Sequence, residues 1–268
     1  MIKLSDVLLN PKKARRHPFE IVFLGFFYVS LSMLFSYWIF PDYASLFTVF
    51  LTVISCLYVV QGVLIFEEGK EKNFRGEGII LRGHAKTIRL FLLLFFGFLF
   101  AFIFWTIVLP QSVILDVFNV QNTELTNIRA ITARAVAPEN FSLILLNNLR
   151  VLAFSLVLAL FYGAGSVFIL AWNASIMGFV IGNLARNVLG LSSLPHLFLK
   201  YFLHGIPEML AYFTAALAGG IIFISVIKGD LGKDRLKRTV IDSFILMSIS
   251  LFLLIVAALL ETFVSPMI

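Results

Sequence analysis

Seven apolar runs, each long enough to cross a bilayer as a helix, dominate this sequence of 268 residues. They are Phe19–Phe40, Ala44–Phe66, Leu90–Leu109, Phe141–Gly163, Gly165–Asn187, His196–Ile227 and Val240–Leu260. A hydrocarbon core about 30 Å thick takes roughly 20 helical residues to span. Only 13% of the residues are charged, against about 25% in a soluble domain. The expected fold is therefore all-α: a polytopic integral membrane helical bundle of about seven transmembrane spans. The sixth run would measure about 48 Å as one helix at about 1.5 Å per residue, so a broken span is expected near residues 204–207. The break signal is Gly205-Ile206-Pro207, with Pro207 and Glu208 suited to a new first turn.

The chain reads as a single membrane domain over residues 1–268. Residues 1–18 form a basic head, 19–109 three N-terminal spans, 110–140 an outer loop and 141–268 the C-terminal spans. The first run exceeds the roughly 7–15 residues of a signal-peptide core and has no small-residue cleavage site, which predicts an uncleaved span. In the outer loop, Leu125, Ile128, Ile131 and Ala135 repeat at helical spacing with polar residues between, predicting a short amphipathic helix.

Residues 1–18, 67–89 and 228–238 together hold sixteen of the 21 lysines and arginines. Seven spans put all three segments on one side, which the positive-inside rule makes cytoplasmic. The expected topology has a cytoplasmic N-terminus and an outer C-terminus in the cell membrane. The net charge of +6 then belongs to loops facing anionic lipid, and no nucleic acid is expected. The lone Cys56 offers no disulfide framework and no multi-cysteine metal site.

Between Asn147 and Ile227, small and polar residues enter the apolar runs. Ala174, Gly178 and Gly182 recur every four positions, as do Ala211, Ala215 and Gly219. That spacing puts each set on one helix face and allows close backbone approach, so these residues are expected to pack helices. Asn147, Asn148, Arg150, Asn173, His204 and Glu208 form a candidate polar intramembrane cluster. Polar side chains in hydrocarbon must find partners, and intramembrane ionisable groups often mark ion or proton paths. Arg150 and Glu208 are expected at similar depth, which raises an ion pair between them. Interhelical glue and a working site both remain open.

Enzyme chemistry has weak support. His196, His204 and Glu208 do not reproduce the His-Glu-x-x-His pattern of zinc peptidases, so no metal and no cofactor are expected. Ser155, Ser166 and Ser175 have no base and orienting partner at readable positions.

The order Asn147-Asn148, Gly163-x-Gly165, Asn173, Gly178-x-x-x-Gly182 and His204-Gly205-x-x-Glu208 resembles the stage II sporulation protein M family over residues 147–227. Ala174 stands where that family often has glycine. The resemblance implies a multi-pass protein and brings no catalytic mechanism. The founding member acts in engulfment as a membrane partner of cell-wall-remodelling proteins. The leading expectation is a non-enzymatic scaffold or assembly component of a membrane complex. Its partners would be the bilayer and a second copy or other membrane proteins. The competing expectation is a transporter or channel for a small solute or ion.

Overall fold

The computed structural model describes residues 18–71, 80–123, 126, 137–162, 166–227 and 233–265, and every element among them is helical. Helix α1 (Pro18–Ile39) opens on a proline, which suits a first turn because its missing N–H would be unpaired there anyway. A 3-10 turn at Pro41–Tyr43 reverses the chain into α2 (Ala44–Glu71). Then follow α3 (Ile80–Val108), the short α4 (Gln111–Val117), α5 (Ala137–Tyr162), α6 (Ser166–Leu184), α7 (Leu194–Ile227) and α8 (Lys233–Leu259). Helices α6 and α8 each end in a single π turn, at Ala185–Leu189 and Leu260–Val264. All of the basic head at 1–18 except Pro18, and the amphipathic repeat at Leu125, Ile128, Ile131 and Ala135, lie outside the described residues.

Six helical stretches are long and apolar enough to cross a membrane, and a shorter apolar stretch at Pro41–Leu57 accompanies them. That shorter stretch opens the second expected span, within a helix of 28 residues. The fourth expected span corresponds to α5, which ends at Tyr162, and the fifth to α6, which begins at Ser166.

The expected break at residues 204–207 does not interrupt the helix. Helix α7 runs unbroken for 34 residues with Pro207 inside it. Proline removes one backbone bond, to the carbonyl of Leu203, and neighbouring helices tolerate that loss inside a membrane. Gly205 serves packing instead: a Cβ there would meet the Met177 methyl at 2.6 Å. At about 1.5 Å per residue, α7 is about 51 Å long. It therefore tilts or projects beyond the core.

Helix α3 is the spine of the bundle. Phe91, Leu94, Phe98, Leu99 and Phe102 on it are all fully buried. It packs on α1, α6 and α7. Gly25 and Gly97 bring α1 and α3 into backbone contact, and Trp105 donates its indole N–H to Ser30 Oγ further along at 2.9 Å, so the two helices run parallel. The stacked Phe96 and Phe202 rings, with centroids 5.5 Å apart, join α3 to α7. Helices α5 and α8 lie at the margin: 17% and 33% of their apolar windows are buried, against 44–61% in the other four.

After α3, Pro110 starts α4, which turns inward. Ile114, Val117, Phe118 and Gln121 are all buried, and the Phe118 ring stacks on Phe179. Gln121 then ties three segments together. Its Oε1 accepts from Ser45 Oγ on α2, and its Nε2 donates to Ser175 Oγ on α6 at 3.0 Å.

Candidate functional site

The small residues lie at the tightest contacts. A Cβ added at Gly178 would meet the Phe102 Cβ at 2.5 Å, and one at Gly182 would meet the Thr106 Cβ at 2.7 Å. Both facing residues are on α3, and their order shows that α6 runs parallel to it. Ala174 is fully buried one turn earlier. On α7, Ala211 and Ala215 are fully buried, and Gly219 faces Ala159 and Leu156 of α5. The Ala211 carbonyl accepts from Ser250 of α8 at 2.7 Å, and the Ala218 carbonyl accepts from Ser243 at 3.1 Å. Small side chains expose these carbonyls to a neighbouring helix, as close membrane packing requires.

The six polar residues do not gather into one cluster. His204 and Glu208 share a face of α7. The His204 Nδ1 lies 2.8 Å from Ser265 Oγ, just beyond the π turn that ends α8. Tyr212, one further turn along α7, donates its hydroxyl hydrogen to Glu208 Oε1 at 2.8 Å. Glu261, in the same π turn, is the other group that acts electrostatically on Glu208. The site therefore has two components that sequence spacing did not reveal, Glu261 and Ser265, and a third, Tyr212, that reads as an ordinary apolar-face aromatic. Glu261 and Ser265 lie more than fifty residues from Glu208 and His204 in sequence, so no local pattern joins them.

Asn148 belongs beside this group. It lies on the buried stripe of α5 with Leu152, Ser155 and Ala159. Ser155 donates to the Tyr212 carbonyl at 3.5 Å. Two turns back along parallel helices, Asn148 comes level with His204 and Gly205. Helix α5 also packs on the π turn that carries Glu261. Asn148 is 5% exposed and its Nδ2 has no hydrogen-bond partner.

Asn147 and Arg150 face the other way, both exposed on the outer side of α5. The ion pair expected between Arg150 and Glu208 is not formed. Helices α5 and α7 are parallel and in contact, but Arg150 lies on the exposed face of α5. An arginine this deep in a span costs at least about 2.5–3.5 kcal/mol when it faces hydrocarbon. Asn173 is separate again: its Nδ2 donates to the Ile169 carbonyl one turn back on its own helix at 2.9 Å.

A second arginine does find partners. Arg186, in the π turn after α6, donates through one Nη1 to the carbonyls of Thr106 and Leu109. It caps the C-terminal end of α3, where free carbonyls and the helix dipole favour a cation. Sequence position alone marks it only as an arginine at a span end.

Among the described residues, no group of three His, Cys, Asp or Glu side chains is placed to hold a metal ion. The His204–Ser265 contact fastens α7 to the residue just beyond α8, while the Tyr212–Glu208 bond stays within α7. Hydrogen bonds between membrane helices average about 0.6 kcal/mol, so this group is suited first to fixing helix register.

Long apolar helices, glycine contacts and a small buried polar group define a polytopic helical membrane protein. The family model of Stage II sporulation protein M matches residues 90–266. The chain belongs to that family. The match includes α3 from residue 90 onward and the inward-turning α4, well upstream of the Asn147–Ile227 stretch that carries the recognisable pattern. No curated protein and no solved structure matches the chain.

Proposed function

We propose that this protein is a non-enzymatic scaffold of a membrane complex, oriented with its N-terminus in the cytoplasm and its C-terminus outside. The observation that carries this reading is the asymmetry of α5. Its inner stripe is locked to α7 by Ser155 and by the Gly219 contact, while only 17% of its apolar window is buried. A rigid bundle that presents one marginal helix is suited to holding another membrane protein. Extraction of the full chain from its native membrane into polymer-bounded bilayer discs tests this. The reading expects particles that contain the 30.1 kDa chain with another membrane protein in fixed proportion. Particles holding this chain alone would contradict it.

A second reading has one specific observation in its favour. Glu261 acts electrostatically on Glu208, one turn from His204 on α7, and the Asn148 amide on the neighbouring helix has no hydrogen-bond partner. Two carboxyl groups and an imidazole inside a bundle are the materials of ion- or proton-linked transport. Flux into liposomes carrying the purified chain, present in wild type and lost in Glu208→Gln, would favour transport over the scaffold.

A further inference from the structure

Leu143, Leu146, Asn147, Arg150, Phe154 and Val157 form one exposed stripe along α5. The spacing of three and four residues keeps them on a single face. Arg150 lies nine positions into the apolar window that begins at Phe141. At about 1.5 Å per residue it is about 13 Å deep, close to the midplane of a core about 30 Å thick. Its side chain leans toward the helix N-terminus. Asn147 occupies the next position on that face, so the two residues make a continuous polar spot rather than a lone arginine reaching for the surface.

Lipid tails solvate the leucines, phenylalanine and valine of this stripe but not a guanidinium. Among the described side chains no acid pairs with it: the Glu208 carboxylate accepts from Tyr212 on its own helix. Among the described residues, the exposed acids are Asp42 and Asp116, and both lie outside the six spans. A second copy therefore brings no exposed described carboxylate to the depth of Arg150. A planar guanidinium is matched best by a carboxylate, which it binds through two parallel hydrogen bonds.

We propose that the outer stripe of α5 docks a transmembrane helix of a different protein, one that carries an Asp or Glu at the depth of Arg150. Leu143, Leu146, Phe154 and Val157 pack that helix above and below the charge, and Asn147 supplies a further hydrogen bond. This deepens the scaffold reading and rests on it.

The test uses the purified full chain in phosphatidylcholine vesicles, with two labelled membrane-spanning Leu/Ala peptides that differ only in a central Glu or Gln. Energy transfer reports association. The proposal expects the Glu peptide to associate at least about tenfold more tightly than the Gln peptide. That preference disappears in Arg150→Gln and survives in Phe252→Ala on the exposed face of α8. Adding anionic phosphatidylglycerol leaves the Glu peptide bound. Equal association of the two peptides overturns the proposal, as does a preference unchanged in Arg150→Gln. Displacement of the peptide by phosphatidylglycerol assigns the spot to lipid phosphate and also overturns it. So does transfer between differently labelled copies of this chain that depends on Arg150. Failure here with partner-containing native particles removes the docking site and leaves the scaffold reading intact.

Discussion

The His204 ring and the Ser265 hydroxyl lie 2.8 Å apart, joining the first third of α7 to the residue just beyond the turn that ends α8. The two residues are separated by 61 positions in sequence, and both are buried. The contact closes the C-terminal end of the bundle onto the face that also carries Glu208 and Tyr212.

Ser265→Ala leaves a buried imidazole nitrogen without its partner. The expected cost is about 1–3 kcal/mol, seen as a lower unfolding midpoint in detergent. Hydrogen exchange should rise through Leu260–Val264, the π turn next to the lost contact. Ser265→Thr keeps the hydroxyl and should behave close to wild type. Unchanged exchange in Ser265→Ala would show that the bond does not hold the turn.

Gly178→Ala places a methyl where the Phe102 Cβ already lies, at 2.5 Å. Both atoms belong to helix stems, so neither side moves without shifting a helix. Overpacking of this kind costs about 1–3 kcal/mol. Ala174→Gly, one turn away, removes a buried methyl and should instead loosen the same contact. Thermal unfolding of the two variants should show both less stable than wild type. A Gly178→Ala protein as stable as wild type would mean that α3 and α6 are not this close.

Arg186→Met keeps an apolar stem of similar length and removes the donor to Thr106 and Leu109. The end of α3 then has two unsatisfied carbonyls and loses a favourable charge–dipole contact. A loss of about 1–2 kcal/mol is expected, with Arg186→Lys restoring part of it. Chemical denaturation of the three proteins separates capping from mere bulk, because Met and Lys fill similar space.

Much of the bundle was legible because hydropathy is a local property. The apolar runs place α1, α5, α6 and α7 within a few residues of their observed ends, while α3 and α8 begin ten and seven residues earlier, in charged sequence that hydropathy does not count as span. Pro41-Asp42-Tyr43 marks the first reversal. The four-residue ladders on α6 and α7 were equally readable. Gly25 and Gly97 were not, since each stands alone in its run and only their meeting makes a contact. Pro207 misled for a physical reason: proline breaks helices in water more readily than in a bundle whose neighbours hold both halves in line. The polar site divides the same way. His204 and Glu208 are visible as polar residues inside an apolar run. Their partners Ser265 and Glu261 lie at the far end of the next helix, and Ser45, Gln121 and Ser175 meet from three separate segments. The expected pairing of Arg150 with Glu208 fails on rotation, because α5 turns Asn148 inward and Arg150 outward.

The most direct measurement of the scaffold reading places a photoreactive residue at position 154, on the exposed stripe of α5, in the full chain within its native membrane. Position 152, on the buried stripe, serves as the control. The account predicts a crosslink from position 154 to a membrane-spanning segment of another protein, lost when Arg150→Glu is added, and none from position 152. A crosslink to lipid alone at position 154, together with Glu208-dependent flux through the purified chain, would contradict it.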